Sequence, residues 1–151
     1  MHELAHSLNI KLDPEIAGRI GELQQRLRSH FKERRTVDPS PHLSLLLRFA
    51  PREHTAEINA RLLAEFSTDR VFSLTFAGYS ASESGEYIFL DFDAQSTELL
   101  HELNQRAARA VGSIGTGGQE GAPARYPYRP HISLIKLMPG GWVEIEWEEE
   151  S

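Results

Sequence analysis

One short segment of the chain occurs twice. Pro41-His42-Leu43-Ser44-Leu45 returns as Pro130-His131-Ile132-Ser133-Leu134, with an imidazole and a hydroxyl at the same two places after a proline. An imidazole has an ordinary pKa of about 6.5, so near neutral pH one histidine can act as an acid while another acts as a base. Breaking a phosphodiester asks for that division of labour. A base activates the attacking oxygen and an acid protonates the departing one, each contributing roughly 10²–10⁴-fold. Serine hydroxyls can hydrogen-bond the non-bridging phosphoryl oxygens, where charge concentrates in the transition state. This chemistry needs no metal, cofactor or covalent intermediate. His42 and His131 are therefore the candidate catalytic residues, and Ser44 and Ser133 the candidate phosphate-binding residues. A metal site is not expected, because two histidines and two serines make a weak donor set and no Asp or Glu stands at a fixed offset in both copies. A single H-x-S on a strand is ordinary. Its recurrence after proline on two strands is what packing alone does not explain.

Each copy opens a predicted strand. Side chains two apart on a strand point the same way, so the His and Ser of each copy share one face while Leu43/Leu45 and Ile132/Leu134 turn to the core. The same parity places Lys136 on the opposite face from His131. Around these strands, Leu4 to Leu12 alternate as a half-buried strand. Asp13-Pro14 then starts a helix whose apolar set is Ile16, Ile20, Leu23, Leu27 and Phe31, running up to Arg34–Arg35. His42 to Phe49 is the second strand, and about Glu53 to Phe66 is a helix. Val71 to Tyr79 and Glu86 to Asp93 read as a hairpin. A third helix starts near Ser96 and carries Leu99, Leu100, Leu103, Ala107 and Val111. Gly112 to Pro130, with five glycines and three prolines, reads as a long flexible loop or lid and not as a P-loop. His131 to Met138 and Trp142 to Glu148 complete the strands, the second with an acidic face suited to a sheet edge. The order β-α-β-α-β-β-α-β-β gives an α+β fold with mostly antiparallel pairing, over residues 1–151 as a single domain.

The paired H-x-S strands in a small α+β chain resemble the two-histidine (2H) phosphoesterases, a superfamily defined by two H-x-[ST]-hydrophobic motifs. It includes the bacterial 2′-5′ RNA ligase and cyclic phosphodiesterase group. The opening "LNIKLDPE" and the closing "WVEIEW" also look like that family's ends. The resemblance implies a bilobal fold with two mostly antiparallel sheets, pseudo-two-fold symmetry, helices on the outside and a cleft between the lobes. It implies hydrolysis of 2′,3′-cyclic phosphates on nucleotides or RNA ends, or of related 2′-linked phosphodiesters. By similarity, His131 is the base that activates water and His42 the acid that protonates the ribose oxygen; running the reaction backwards exchanges the roles. Tyr128 matches an often aromatic position suited to stacking on a base, and Lys136 an often basic one suited to phosphate. Arg125 and Arg129 flank the second motif and are further candidates for substrate contact. Two other readings stay open: a nucleotide-binding sensor without turnover, and 2′-5′ RNA end-joining by the reverse reaction.

Composition narrows the rest. The chain has 151 residues, 40% hydrophobic and 25% charged, and no cysteine, which excludes thiolate nucleophiles and cysteine-ligated metal sites. A formal net charge of −6 argues against clamping long duplexes, which depends on counterion release by a basic surface. The expected partner is a nucleotide or short RNA. No stretch approaches the roughly 20 apolar residues of a membrane span, and no signal-peptide pattern is seen. A cytoplasmic monomer or small oligomer is expected.

Overall fold

A computed structural model describes residues 3–31, 41–82, 85–117 and 128–137. Among the described residues nine elements follow one another: β1 (Glu3–Ile10), α1 (Pro14–His30), β2 (Leu43–Pro51), α2 (Thr55–Phe66), β3 (Phe76–Ala81), β4 (Tyr87–Phe92), α3 (Ala94–Val111), β5 (Thr116–Gly117) and β6 (Ile132–Lys136). A single 3₁₀ turn, Arg52–His54, leads into α2. The fold is α+β, as expected. The described strands form two three-stranded sheets, ordered β1-β2-β5 and β3-β4-β6. No helix among the described residues is long and apolar enough to cross a membrane.

The chain divides into two compact units, each assembled from three separate stretches. The first comprises residues 1–11, 43–77 and 92–131 and contains the sheet β1-β2-β5, with α3 packed on β2 and α2 packed on α3. Its core is Leu43, Leu45, Leu46, Ala50, Ile58, Leu100, Leu103, Ala107 and Val111. Arg106 fastens α3 to the end of α2. Its Nε donates to Glu65 (2.9 Å), its terminal nitrogens donate to both Asp69 oxygens (2.8 and 2.9 Å), and its plane lies 4.8 Å from the Phe66 ring centre. The hydrogen bonds from Arg106 hold the Asp69 carboxyl below the usual carboxylate range.

The second unit comprises residues 12–42, 78–91 and 132–151. Here α1 packs on β6, with Ile20, Leu27, Phe31, Ile88, Phe89, Ile132, Leu134, Ile135 and Leu137 buried. Complete burial of a side chain such as Ile132 is worth about 1.5–3 kcal/mol. Asp13 caps α1 by accepting from the Glu15 backbone N–H (2.9 Å), with Pro14 at the first helical position, as the sequence expected.

Several expectations shift. α1 ends at His30, and Arg34 and Arg35 lie outside the described residues. The Val71–Tyr79 strand begins only at Phe76, because Val71 is fully exposed and residues 71–75 join no ladder. α3 begins earlier than expected, because Asp93 accepts from the Ser96 backbone N–H (2.8 Å) and caps it. Part of the glycine-rich loop, Thr116–Gly117, is a short strand paired with Phe49 and Arg48. The expected strand Trp142–Glu148 lies outside the described residues.

The Asp93 cap carries a pH signature. The Ser96 backbone N–H holds this carboxyl below its ordinary value, so its contribution is full above the unfolded value of about 3.9 and is lost as pH falls through the folded one. Asp93→Asn keeps a good cap that does not titrate. Thermal melts at about pH 7 and about pH 3 should show a smaller acid-induced drop in Tm for the variant than for the wild type. Equal drops would remove Asp93 from the acid response.

Candidate active site

The two H-x-S segments are built alike. In the first, His42 and Ser44 are half-buried while Leu43 and Leu45 are buried; in the second, His131 and Ser133 are half-buried while Ile132 and Leu134 are buried. Burial alternates through each segment as the expected His/Ser face requires, with the histidine just before the strand and the serine inside it. Both strands then break the alternation at the same place. Ser44 stands opposite Asn9 and Leu46 opposite Leu8, so Leu45 has no partner on β1. Ser133 stands opposite Phe89 and Ile135 opposite Ile88, so Leu134 has no partner on β4. Each is a β-bulge directly after the serine. A bulge puts two residues against one and re-aims everything that follows.

The bulge corrects the parity expected for Lys136. With one extra residue at Leu134, Leu134 and Ile135 are both buried, and Lys136 returns to the half-buried face that carries Ser133. Its ammonium lies 5.5 Å from the ring centre of Tyr87, its cross-strand partner. A unit slip in a period-two structure moves every later side chain to the other face, which is why the sequence placed it wrongly.

The ring of His131 has a defined tether. Its Nδ1 lies 2.6 Å from the Arg129 carbonyl oxygen. A carbonyl only accepts, so this contact is a hydrogen bond when Nδ1 carries the proton, and Nε2 is then the nitrogen that gains or loses one. The same logic makes His6 a satisfied structural residue: Nδ1 donates to the Leu4 carbonyl (3.1 Å) and Nε2 accepts from the Thr55 hydroxyl (2.8 Å).

Tyr128 does not fit the role of a base-stacking platform. Its ring is only 6% exposed and meets His101 edge-on, with ring centres 5.5 Å apart. Its hydroxyl donates to the Ser44 carbonyl (2.8 Å), and burial pushes its own pKa well up. The residue braces the first motif from inside the core. Arg129 is exposed, and Arg125 lies outside the described residues. An apolar groove of about 520 Å³ lies in the first unit, lined by Leu8, Ile10, Leu62, Phe66, Phe72 and Leu103 among others; none of the four motif histidines and serines lines it. Among the described residues, no three His, Asp or Glu side chains cluster as a bound metal ion would need.

The two H-x-S segments thus share one local build, on two sheets of an α+β chain. The model of the 2′-5′ RNA ligase superfamily matches residues 12–148 and takes in both motifs. The chain belongs to that superfamily. Among curated proteins, none matches it. Membership agrees with the resemblance to the 2H phosphoesterases and makes phosphoester chemistry the activity of the class.

Two further residues were missed by the sequence reading: Gln24 of α1 and Asn104 of α3. Both are buried, and both donate to carbonyls at the bulges. Their signal was present, since each is a polar residue on the apolar stripe of an amphipathic helix.

Proposed function

We propose that the chain is a metal-independent phosphodiesterase that opens 2′,3′-cyclic phosphates on nucleotides or short RNA ends, or related 2′-linked phosphodiesters. The observation that carries this reading is the duplicated strand: half-buried His and Ser on one face, buried residues behind, and a bulge immediately after the serine in both copies. His131 Nε2 takes a proton from water as its oxygen attacks phosphorus. His42 gives a proton to the ribose oxygen that departs. One P–O bond forms and one breaks, leaving a phosphomonoester and a free hydroxyl, and exchange with solvent resets both rings. Ser44 and Ser133 hydrogen-bond the non-bridging oxygens. Lys136, on the face of Ser133, supplies positive charge toward the phosphate.

The description of the superfamily favours a second reading, in which a ribose hydroxyl replaces water and two RNA ends are joined 2′-5′ by the same two histidines. A panel of the four 2′,3′-cyclic nucleotides, a cyclic-phosphate-ended oligonucleotide and 2′-5′ dinucleotides, assayed with and without EDTA, separates the readings. Hydrolysis with an unchanged rate in EDTA supports the proposal. A 2′-5′ product from two ends supports joining. Binding of cyclic nucleotide by calorimetry with no product overturns both and leaves a sensor.

A further inference from the structure

We infer that the buried amides of Gln24 and Asn104 are positioning residues, each fixing one H-x-S strand at its bulge. A bulge withdraws backbone groups from the ladder, and a buried carbonyl without a donor is costly, roughly 1–3 kcal/mol. Here the donors come from helices. Gln24 Nε2 on α1 donates to the Ser133 carbonyl (3.1 Å), and Asn104 Nδ2 on α3 donates to the Leu45 carbonyl (2.7 Å). Gln24 is 2% exposed and Asn104 6%. Each helix packs on the strand it serves, α1 on β6 and α3 on β2. The Tyr128 hydroxyl on the Ser44 carbonyl adds a second hold on the first bulge.

The location gives these bonds a consequence beyond stability. The held carbonyls sit at or beside the serine and two to three residues from the histidine of each motif. A bulge that slips by one residue returns the strand to simple alternation and turns the following side chains over, Lys136 among them. An amide aimed at one carbonyl favours one register, and so sets how the imidazole and hydroxyl before the bulge stand relative to the ladder and to the side chains after it. The assignment is specific: Gln24 governs His131 and Ser133, and Asn104 governs His42 and Ser44.

The test reads the rings directly, by the imidazole Cε1–Hε1 resonances and their pH titration. Gln24→Met and Asn104→Leu remove the donors at nearly constant size. Gln24→Met is expected to shift the His131 resonance and leave His42 in place, and Asn104→Leu to do the reverse. If either donor deletion prevents folding, Gln24→Asn and Tyr128→Phe are the milder counterparts and carry the same expectation for their motifs. Folded variants that leave both rings at their wild-type positions, or that shift both rings together, overturn the inference. The consequence for catalysis rests on the proposed function: kcat should fall about 10–100-fold with KM little changed, since small misplacement of reacting groups costs on that scale. Absence of turnover in the wild type would defeat the proposed function while the ring resonances still decide the positioning role.

Discussion

Alanine at either His42 or His131 is expected to lower kcat on a 2′,3′-cyclic nucleotide by about 10²–10⁴-fold while leaving the Tm close to that of the wild type. Both rings are half-buried and stand just before their strands, so truncation opens no core cavity. The loss is one of proton transfer. Because one ring must be neutral and the other charged, the wild-type rate should trace a bell against pH. The base must be deprotonated to act, so its loss removes the acidic limb; the acid must be protonated, so its loss removes the alkaline limb. On the present assignment His131→Ala flattens the acidic side and His42→Ala the alkaline side. Interchanged limbs would exchange the two roles, whereas full activity in either variant ends the two-histidine mechanism. The double variant should be little worse than the poorer single one, because groups that act as a unit are not additive.

Much of the fold is legible in the sequence. β1, α1, β2, α2 and α3 follow from apolar periodicity and from the Asp13-Pro14 start signal, and the structure places them within a few residues of those readings. The paired motifs were legible because strand parity needs only local sequence. What parity could not give was the bulge. Its trace is nonetheless there, as Leu45-Leu46-Leu47 and Leu134-Ile135 put apolar residues in a row where strict alternation allows one. Tyr128 misled for a different reason. An aromatic next to a motif suits a substrate or a core equally, and only tertiary packing turned it inward to the Ser44 carbonyl. Val71 and Phe72 have strand-forming side chains, but β-propensity is a preference for a pleated, half-buried surface, and here no ladder reaches them. β5 is two residues long, too short for any period to show, and what reveals it is one glycine.

That glycine gives the largest expected change in stability. Gly115 has φ +71, and a Cβ there would run into the Phe49 carbonyl oxygen and come within 2.9 Å of Ala50 Cβ. It precedes Thr116, which pairs with Phe49, so the chain approaches β2 backbone to backbone at this point. Alanine at Gly115 would bring left-handed strain of about 1–2 kcal/mol and, in addition, a contact that only movement of β5 or β2 can relieve. A total of roughly 2–3 kcal/mol in a chain of this size lowers Tm by about 5–10 °C. Gly18 and Gly21 supply the internal control. Both lie inside α1 without positive φ, and a Cβ at either meets nothing within 4 Å. Alanine there should raise stability by about 0.5–1 kcal/mol, the usual gain of alanine over glycine within a helix. The same substitution thus takes opposite signs in one molecule. A melt of Gly115→Ala that matches the wild type would show that β5 does not hold its place against Phe49, and with it would go the pairing of the glycine-rich segment to the strand that carries Ser44.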